Sequence, residues 1–435
     1  MTANPSLRKV INTTQLWGIA VGMVISGEYF GWNYGLGVAG TVGFIIATLL
    51  VSVFYVAFIF SFTELTASMP DAGGPFTYAT RAFGPKVGFL AGFSSIIGIL
   101  MAPPAIAAAL GAYAHFLHPG IPAIWVADGA YFVFVAINIL GIKESANLSV
   151  VITALSVVEL VIFMGLVSPA YETQNLLAHN SEIRSSGIFA AIPFAIWFYI
   201  GIEGVAMVAE EVRDPIRTIP RGYLLSIGTL VVLALGTMIL SAGAGDWRQI
   251  TTSDYPLPAT LAMVLGPNSG WARLFAGLGL FGLIASFHGT TIGYSRQIYA
   301  MARDGYLPRW LGTVNPRFRT PHWSLVAGGV VGLLALFSGT TDKIITLSAL
   351  GTVAMYLISL VCLFALRQRE PDMERPFRVA FYPFLPGLAL VLGTICLLAM
   401  IYFNPLLSLI FAGLMAGAYG VFLWIGPKDQ RNAVN

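Results

Sequence analysis

Val21-Gly22-Met23-Val24-Ile25-Ser26-Gly27-Glu28-Tyr29-Phe30-Gly31 is an apolar run broken by glycines around a single glutamate. Trp197-Phe198-Tyr199-Ile200-Gly201-Ile202-Glu203-Gly204-Val205 repeats the arrangement later in the chain. A carboxylate at mid-bilayer depth costs roughly 2.5–3.5 kcal/mol on insertion scales, so an acid kept there marks a functional position. Glycine lowers helix propensity by about 1 kcal/mol and lets backbone face a cavity. Paired Gly-interrupted segments at matching places in two halves of a chain point to a binding site built at helix breaks.

The rest of the sequence supports a membrane setting for both segments. Of 435 residues, 57% are hydrophobic and 10% charged, against about 25% charged in a soluble domain. Apolar runs long enough to cross about 30 Å of hydrocarbon recur from end to end. Twelve are expected, at about 15–36, 41–66, 86–116, 123–141, 148–168, 188–211, 221–244, 271–300, 322–340, 343–366, 380–401 and 404–426. An even number puts both termini on one side. Of the 23 Lys and Arg residues, 19 fall on that side, and only Arg184, Arg248, Arg273 and Lys343 fall opposite. By the positive-inside rule both termini are expected in the cytoplasm. The net charge of +3 then belongs to cytoplasmic loops and does not indicate nucleic-acid binding. No cleavable signal peptide is expected, since no small-residue cleavage site follows a short apolar core.

Other chemistries lack residues to carry them. Cys362 and Cys396 both fall inside apolar runs and read as core residues, and the five histidines are scattered without metal-ligand spacing. No nucleotide-binding motif is present, no cofactor is expected, and no Ser/His/Asp set falls within the runs. That argues against an enzyme. A sensor is disfavoured too, because about nine polar residues after the last run leave no room for a signalling domain.

Three loop patterns are more specific than hydropathy. They are Glu64-Leu65-Thr66-Ala67-Ser68-Met69-Pro70-Asp71-Ala72-Gly73-Gly74-Pro75-Phe76-Thr77-Tyr78, Glu210-Glu211-Val212-Arg213-Asp214-Pro215-Ile216-Arg217-Thr218-Ile219-Pro220-Arg221, and Gly293-Tyr294-Ser295-Arg296-Gln297-Ile298-Tyr299-Ala300-Met301-Ala302-Arg303-Asp304-Gly305-Tyr306-Leu307-Pro308. In order and spacing they resemble signatures of the amino acid–polyamine–organocation superfamily, and the likeness covers essentially the whole chain. At the two breaks the chain is similar to bacterial ethanolamine permeases, through Ile25-Ser26-Gly27-Glu28-Tyr29-Phe30-Gly31-Trp32 and Pro193-Phe194-Ala195-Ile196-Trp197-Phe198. The resemblance implies an all-α integral membrane protein with a five-plus-five inverted repeat of the leucine-transporter type and two extra helices. Residues 1–169 would hold helices 1–5, residues 170–367 helices 6–10, and residues 368–435 helices 11 and 12 with a short tail. Substrate would lie between the broken first and sixth helices.

Amino-acid carriers of this family typically hold the substrate carboxylate on small residues, Gly-Ser-Gly, at the first break. The matching triplet here is Ser26-Gly27-Glu28, with a carboxylate where glycine is expected. Such a group repels an α-carboxylate and suits a small cation without an acid, such as a primary amino alcohol. Glu203 would face the same cavity. Helix C-termini before each break add partial negative charge, and a ring face near a desolvated ammonium can contribute about 2 kcal/mol. The expected substrate contacts are therefore Ser26, Gly27, Glu28, Tyr29, Trp197, Phe198, Tyr199 and Glu203, with Trp197 matching an aromatic that closes over substrate. A structural role for Glu28, pairing with a backbone amide or a span-8 group such as His288, is the competing reading.

Several family members carry a lysine in span 5 that replaces a bound sodium ion; the matching position here is Ser156, with Glu159 one turn later. Ser156, Glu159 and Ser286 are the coupling candidates, for Na+ or H+. Arg296, Arg303 and their acidic neighbours at the ends of spans 6 and 8 are expected to form ion pairs that close the inner gate. The expected function is import of ethanolamine or a related amine across the bacterial inner membrane, by a multi-pass monomer or homodimer. An amino-acid permease or exchanger is the alternative.

Overall fold

The computed structural model describes residues 9–141, 146–177 and 185–425. The positive-inside assignments of Arg8, Lys143, Arg184, Lys428 and Arg431 lie outside them. The described residues are helical throughout, with one isolated bridge between Ile11 and Val212 in place of any strand. Nine helices among them are long and apolar enough to span a bilayer, with Ala123–Ile139 and His322–Ser338 shorter but also apolar.

The first span is three pieces. Helix α1 (Thr13–Val24) starts at a capping box in which Asn12 and Gln15 satisfy each other's backbone N–H groups. A single turn, α2 (Ser26–Tyr29), follows. The span finishes as the opening of α3 (Asn33–Ser68), which Gly40 breaks with φ +66° before the chain returns. Glycine is needed at that reversal, because side chains clash at positive φ.

The third apolar run divides at Met101 into α5 (Pro85–Leu100) and α6 (Ala102–Leu117), after the short α4 (Pro75–Phe83). Pro103 and Pro104 sit in the first turn of α6, where a missing N–H does no harm. Helices α7 (Ala123–Ile139), α8 (Ala146–Val167) and the short α9 (Thr173–Leu177) complete the first half. The sixth run is α10 (Ser185–Ala190), α11 (Ile192–Trp197), an unwound segment, and a 3-10 helix from Ile202 to Glu211. It leads to α12 (Pro215–Gly243), a connecting segment with α13 (Pro256–Leu265), then α14 (Gly270–Arg303), α15 (His322–Ser338), α16 (Thr341–Arg369), α17 (Phe384–Phe403) and α18 (Pro405–Ile425).

Packing follows a paired scheme: α1 lies on α8 and α12, and α11 lies on α16 and α3. Likewise α6 packs on α7 and α14 on α15, while α5 meets α16 and α14 meets α8. The solubility pattern is inverted. Large apolar side chains such as Phe132, Val232, Phe281 and Leu334 face outward, whereas Ser26, Glu28, Glu159, Glu203 and Ser286 are buried. In hydrocarbon that is the stable arrangement, because polar groups must find partners inside the protein. Cys362 and Cys396 are buried free thiols, as expected.

Candidate substrate site

The two breaks touch. The first was expected to unwind at Ser26-Gly27-Glu28, but those residues keep a helical turn, and the chain opens one turn later. Phe30 is extended (φ −160°, ψ 169°) and Gly31 takes φ +91°. Close packing explains why glycine stands at both positions. A Cβ on Gly27 would come 2.5 Å from the Trp197 carbonyl, and one on Gly31 would come 2.5 Å from Trp197 Nε1. Trp197 Nε1 donates to the Phe30 carbonyl at 3.0 Å, and Trp32 Nε1 donates to the Glu28 carbonyl at 3.1 Å. Backbone carbonyls freed by the break are thus met by indoles, as a low-dielectric setting requires.

The second break lies between α11 and Ile202, where Gly201 has φ +105°. Glu203 folds back on it: its Oε2 accepts the Gly201 N–H at 3.1 Å and the Tyr356 hydroxyl at 2.6 Å. The Tyr199 and Ser52 hydroxyls lie 2.6 Å apart. Tyr55 packs between them and Tyr356, its ring tilted at 4.8 Å from Tyr199 and edge-on at 5.5 Å from Tyr356. Ser52, Tyr55 and Tyr356 were not foreseen. Hydroxyls scattered in long apolar helices carry no sequence signal until the packing partner is known.

Glu28 is different. It is fully buried, and neither carboxylate oxygen has a hydrogen-bond partner among the described residues. It does not pair with His288, whose Nδ1 instead meets Asn138.

Its neighbours Ser26 and Tyr29 point to the coupling candidates. Ser286 Oγ donates to the Met23 carbonyl at 2.6 Å, so the 2.8 Å contact between Ser26 and Ser286 has Ser26 as donor. Tyr29 donates to Glu159 Oε2 at 2.8 Å, and Tyr113 donates to the Tyr29 carbonyl at 2.9 Å. The Ser156 carbonyl lies 3.4 Å from the Tyr29 hydroxyl, and the other Glu159 oxygen is buried without a partner. The first break is therefore stitched to α8 and α14 on one side and to Trp197 on the other.

A cavity of about 470 Å³ runs from these breaks toward the end of the bundle that holds Val10 and Ile11. Its walls include Gly22 and Met23 of α1, Thr153 of α8, Gly204 and Met207 of the 3-10 helix, and His288, Gly289 and Gly293 of α14. None of the eight expected substrate contacts lines it; Met23 and Gly204, from the same two stretches, do. At its mouth Arg296 lies 3.4 Å from Glu211, the ion pair expected between spans 8 and 6. Arg303 pairs with its own neighbour Asp304.

At the opposite end hydrogen bonds tie α3 and α16 to the segment before α13. Asn33 Nδ2 donates to the Ile250 and Ser253 carbonyls at 2.6 and 2.8 Å. Asp254 accepts the Tyr34 and Thr341 hydroxyls at 2.7 and 3.0 Å. Burial pushes the Asp254 carboxyl above its usual range, against the pull of those two donors. Among the described residues no group of three or more His, Cys, Asp or Glu side chains could hold a metal ion.

The comparisons agree with this geometry. The chain is 29% identical to an uncharacterized transporter of Rhizobium meliloti, over 90% of this chain and 85% of that one. It is 27% identical to the low-affinity putrescine importer of Escherichia coli, over 89% of this chain and 86% of the relative. It is 24% identical to the branched-chain amino acid permease of Bacillus subtilis, over 89% and 87%. The profile of the amino acid permease family matches residues 11–423. This multi-pass membrane protein belongs to that family, within the amino acid–polyamine–organocation superfamily, and is a transporter rather than an enzyme.

Proposed function

We propose that the chain is a secondary carrier that imports ethanolamine or a related small primary amine across the bacterial cytoplasmic membrane by alternating access. One observation carries the reading: the Glu28 carboxylate is buried at a helix break with no donor on either oxygen among the described residues. An unpartnered buried charge is costly, and an ammonium brings both the countercharge and three donors. The Glu28 carboxylate holds the cargo ammonium between the two breaks, with Trp197 and Tyr199 beside it, while Glu203 keeps the second break in shape. The relative named as a putrescine importer carries an amine, which supports the same class.

The architecture proposed is twelve spans, with repeats at 1–169 and 170–367 and two added helices in 368–435. The paired packing supports it, since the contacts of α1 with α8 and α12, of α6 with α7 and of α5 with α16 have counterparts in those of α11 with α16 and α3, of α14 with α15 and of α14 with α8. With both termini cytoplasmic, the cavity at Val10 and Ile11 faces inward. Coupling uses either Na+ near Ser26, Ser286 and the Met23 carbonyl, or a proton on Glu159, which reaches the break through Tyr29.

The second reading, an amino-acid permease, is favoured by the branched-chain permease among the relatives. Uptake into proteoliposomes separates the two. Saturable entry of labelled ethanolamine, blocked by small amines and unaffected by leucine or glutamate, is the expected result. Leucine entry without ethanolamine entry overturns the amine reading and selects the alternative.

A further inference from the structure

His288 lies on the cavity face of α14, in the stripe 285, 288, 289, 292, 293 and 296, which repeats at helical spacing. Its partner Asn138, on α7, donates through Nδ2 to the Phe134 carbonyl at 2.7 Å. That contact fixes the amide, because a flipped side chain would set oxygen against oxygen. The same Nδ2 lies 3.1 Å from His288 Nδ1. Facing an N–H, Nδ1 is the acceptor, so the ring proton sits on Nε2. Nε2 is not among the buried atoms lacking a partner, no acceptor among the described residues engages it, and His288 lines the cavity.

We propose that His288 is a locked N–H donor that reads an oxygen atom of the cargo on its passage through the inner cavity. Ser149 also lines the cavity, and three of the other polar groups there are occupied otherwise. Thr153 donates to the Gly18 carbonyl at 2.8 Å, leaving the cavity only its lone pairs. Arg296 and Glu211 face each other at the mouth. A locked Nε2–H repels an ammonium and bonds an acceptor, so the ligand class is a small amine that also carries a hydroxyl or carboxylate. The inference rests on the cavity being the cargo's path as proposed above, and it adds that an oxygen-free amine gains nothing at this point.

The test measures uptake by purified protein in liposomes with ethanolamine and with propylamine, which matches its size and lacks the oxygen. His288→Leu is expected to slow ethanolamine uptake about tenfold, the worth of one hydrogen bond, and to leave propylamine unchanged. His288→Gln, which restores an N–H at similar reach, should recover most of the loss. If the wild type carries leucine and ignores ethanolamine, the same variants are compared on leucine and isopentylamine. The amine reading then falls, while an effect confined to leucine upholds the donor. Equal effects on both members of a pair, or none on either, overturn it. A second readout is independent of transport. Nitrogen-15 spectra of the wild-type protein, assigned by the signal lost in His288→Gln, should show the Nε2–H tautomer, and Asn138→Ala should release it. An Nδ1–H tautomer in the wild type overturns the proposal.

Discussion

Glu28 and Glu203 stand at the two helix breaks, equally buried, in opposite circumstances. Glu203 accepts from Gly201 N–H and Tyr356 Oη, so its charge is spent on holding the break in shape. Glu28 has no donor on either oxygen among the described residues. An acid already met by fixed donors is part of the scaffold, while one left without them is set for a partner from outside. The contrast orders what substitution should do. Glu28→Gln preserves volume and removes the charge; if Glu28 pairs with the cargo ammonium, kcat/KM for the amine should fall more than about 100-fold, in line with the 3–5 kcal/mol cost of breaking a buried pair. Thermal stability should be unchanged or higher, since an unpartnered acid is gone. Uptake kinetics alongside melting measure both, and full uptake by the variant would make Glu28 a packing residue like any other.

The glycines sharpen the same comparison. Gly31 and Gly201 both hold positive φ, but a Cβ on Gly31 would lie 2.5–2.7 Å from Trp197 and Ile345, whereas one on Gly201 would meet nothing closer than 3.5 Å. Gly31→Ala should therefore cost roughly 2–4 kcal/mol through backbone strain and displaced packing together. Gly201→Ala should cost about 1–2 kcal/mol from backbone alone. Unfolding midpoints in detergent test the order, and equal losses would mean that the two breaks are packed alike.

How much of this could be read from the sequence follows from what each feature depends on. The apolar runs and the glycine–glutamate pairs are local, and nine helices among the described residues are long and apolar enough to span a bilayer. The place where the first break opens was displaced by a turn, because it depends on how Gly27 and Gly31 meet Trp197. Tyr356 is 153 residues from Glu203, and no local pattern ties a tyrosine in one apolar helix to an acid in another. Tyr29 was expected to touch substrate, and its hydroxyl joins Glu159; that partner lies on α8, far from Tyr29 in sequence. The unpartnered state of Glu28 is likewise a property of what surrounds it in space.

Tyr356→Phe probes the partnered acid. It leaves Glu203 buried with one donor fewer, which should cost about 1–3 kcal/mol of stability. Transport should slow by about tenfold at similar KM, since the break is loosened and the cargo's unpartnered acid is untouched. A large rise in KM instead would place Glu203 against the cargo and erase the distinction drawn here.

The weakest effect belongs to a carboxylate whose partner matters least. Glu370, just beyond α16, takes Arg81 Nε and Nη2 at 3.0 and 2.6 Å, but the two side chains are 33% and 48% exposed. The hydrogen bond from Arg81 holds the Glu370 carboxyl below its ordinary value of 4.5. A depressed folded value means that the contribution is present above the ordinary carboxylate range and lost as pH falls through the lowered value. Water screens so exposed a pair to less than about 0.5 kcal/mol. Arg81→Gln should then lower the unfolding midpoint slightly at pH 7, and the difference from wild type should vanish on acidification below the folded value. A loss at pH 7 as large as that of Tyr356→Phe would show that having donors, rather than being buried with them, sets what a carboxylate is worth in this fold, and the contrast between Glu28 and Glu203 would need another cause.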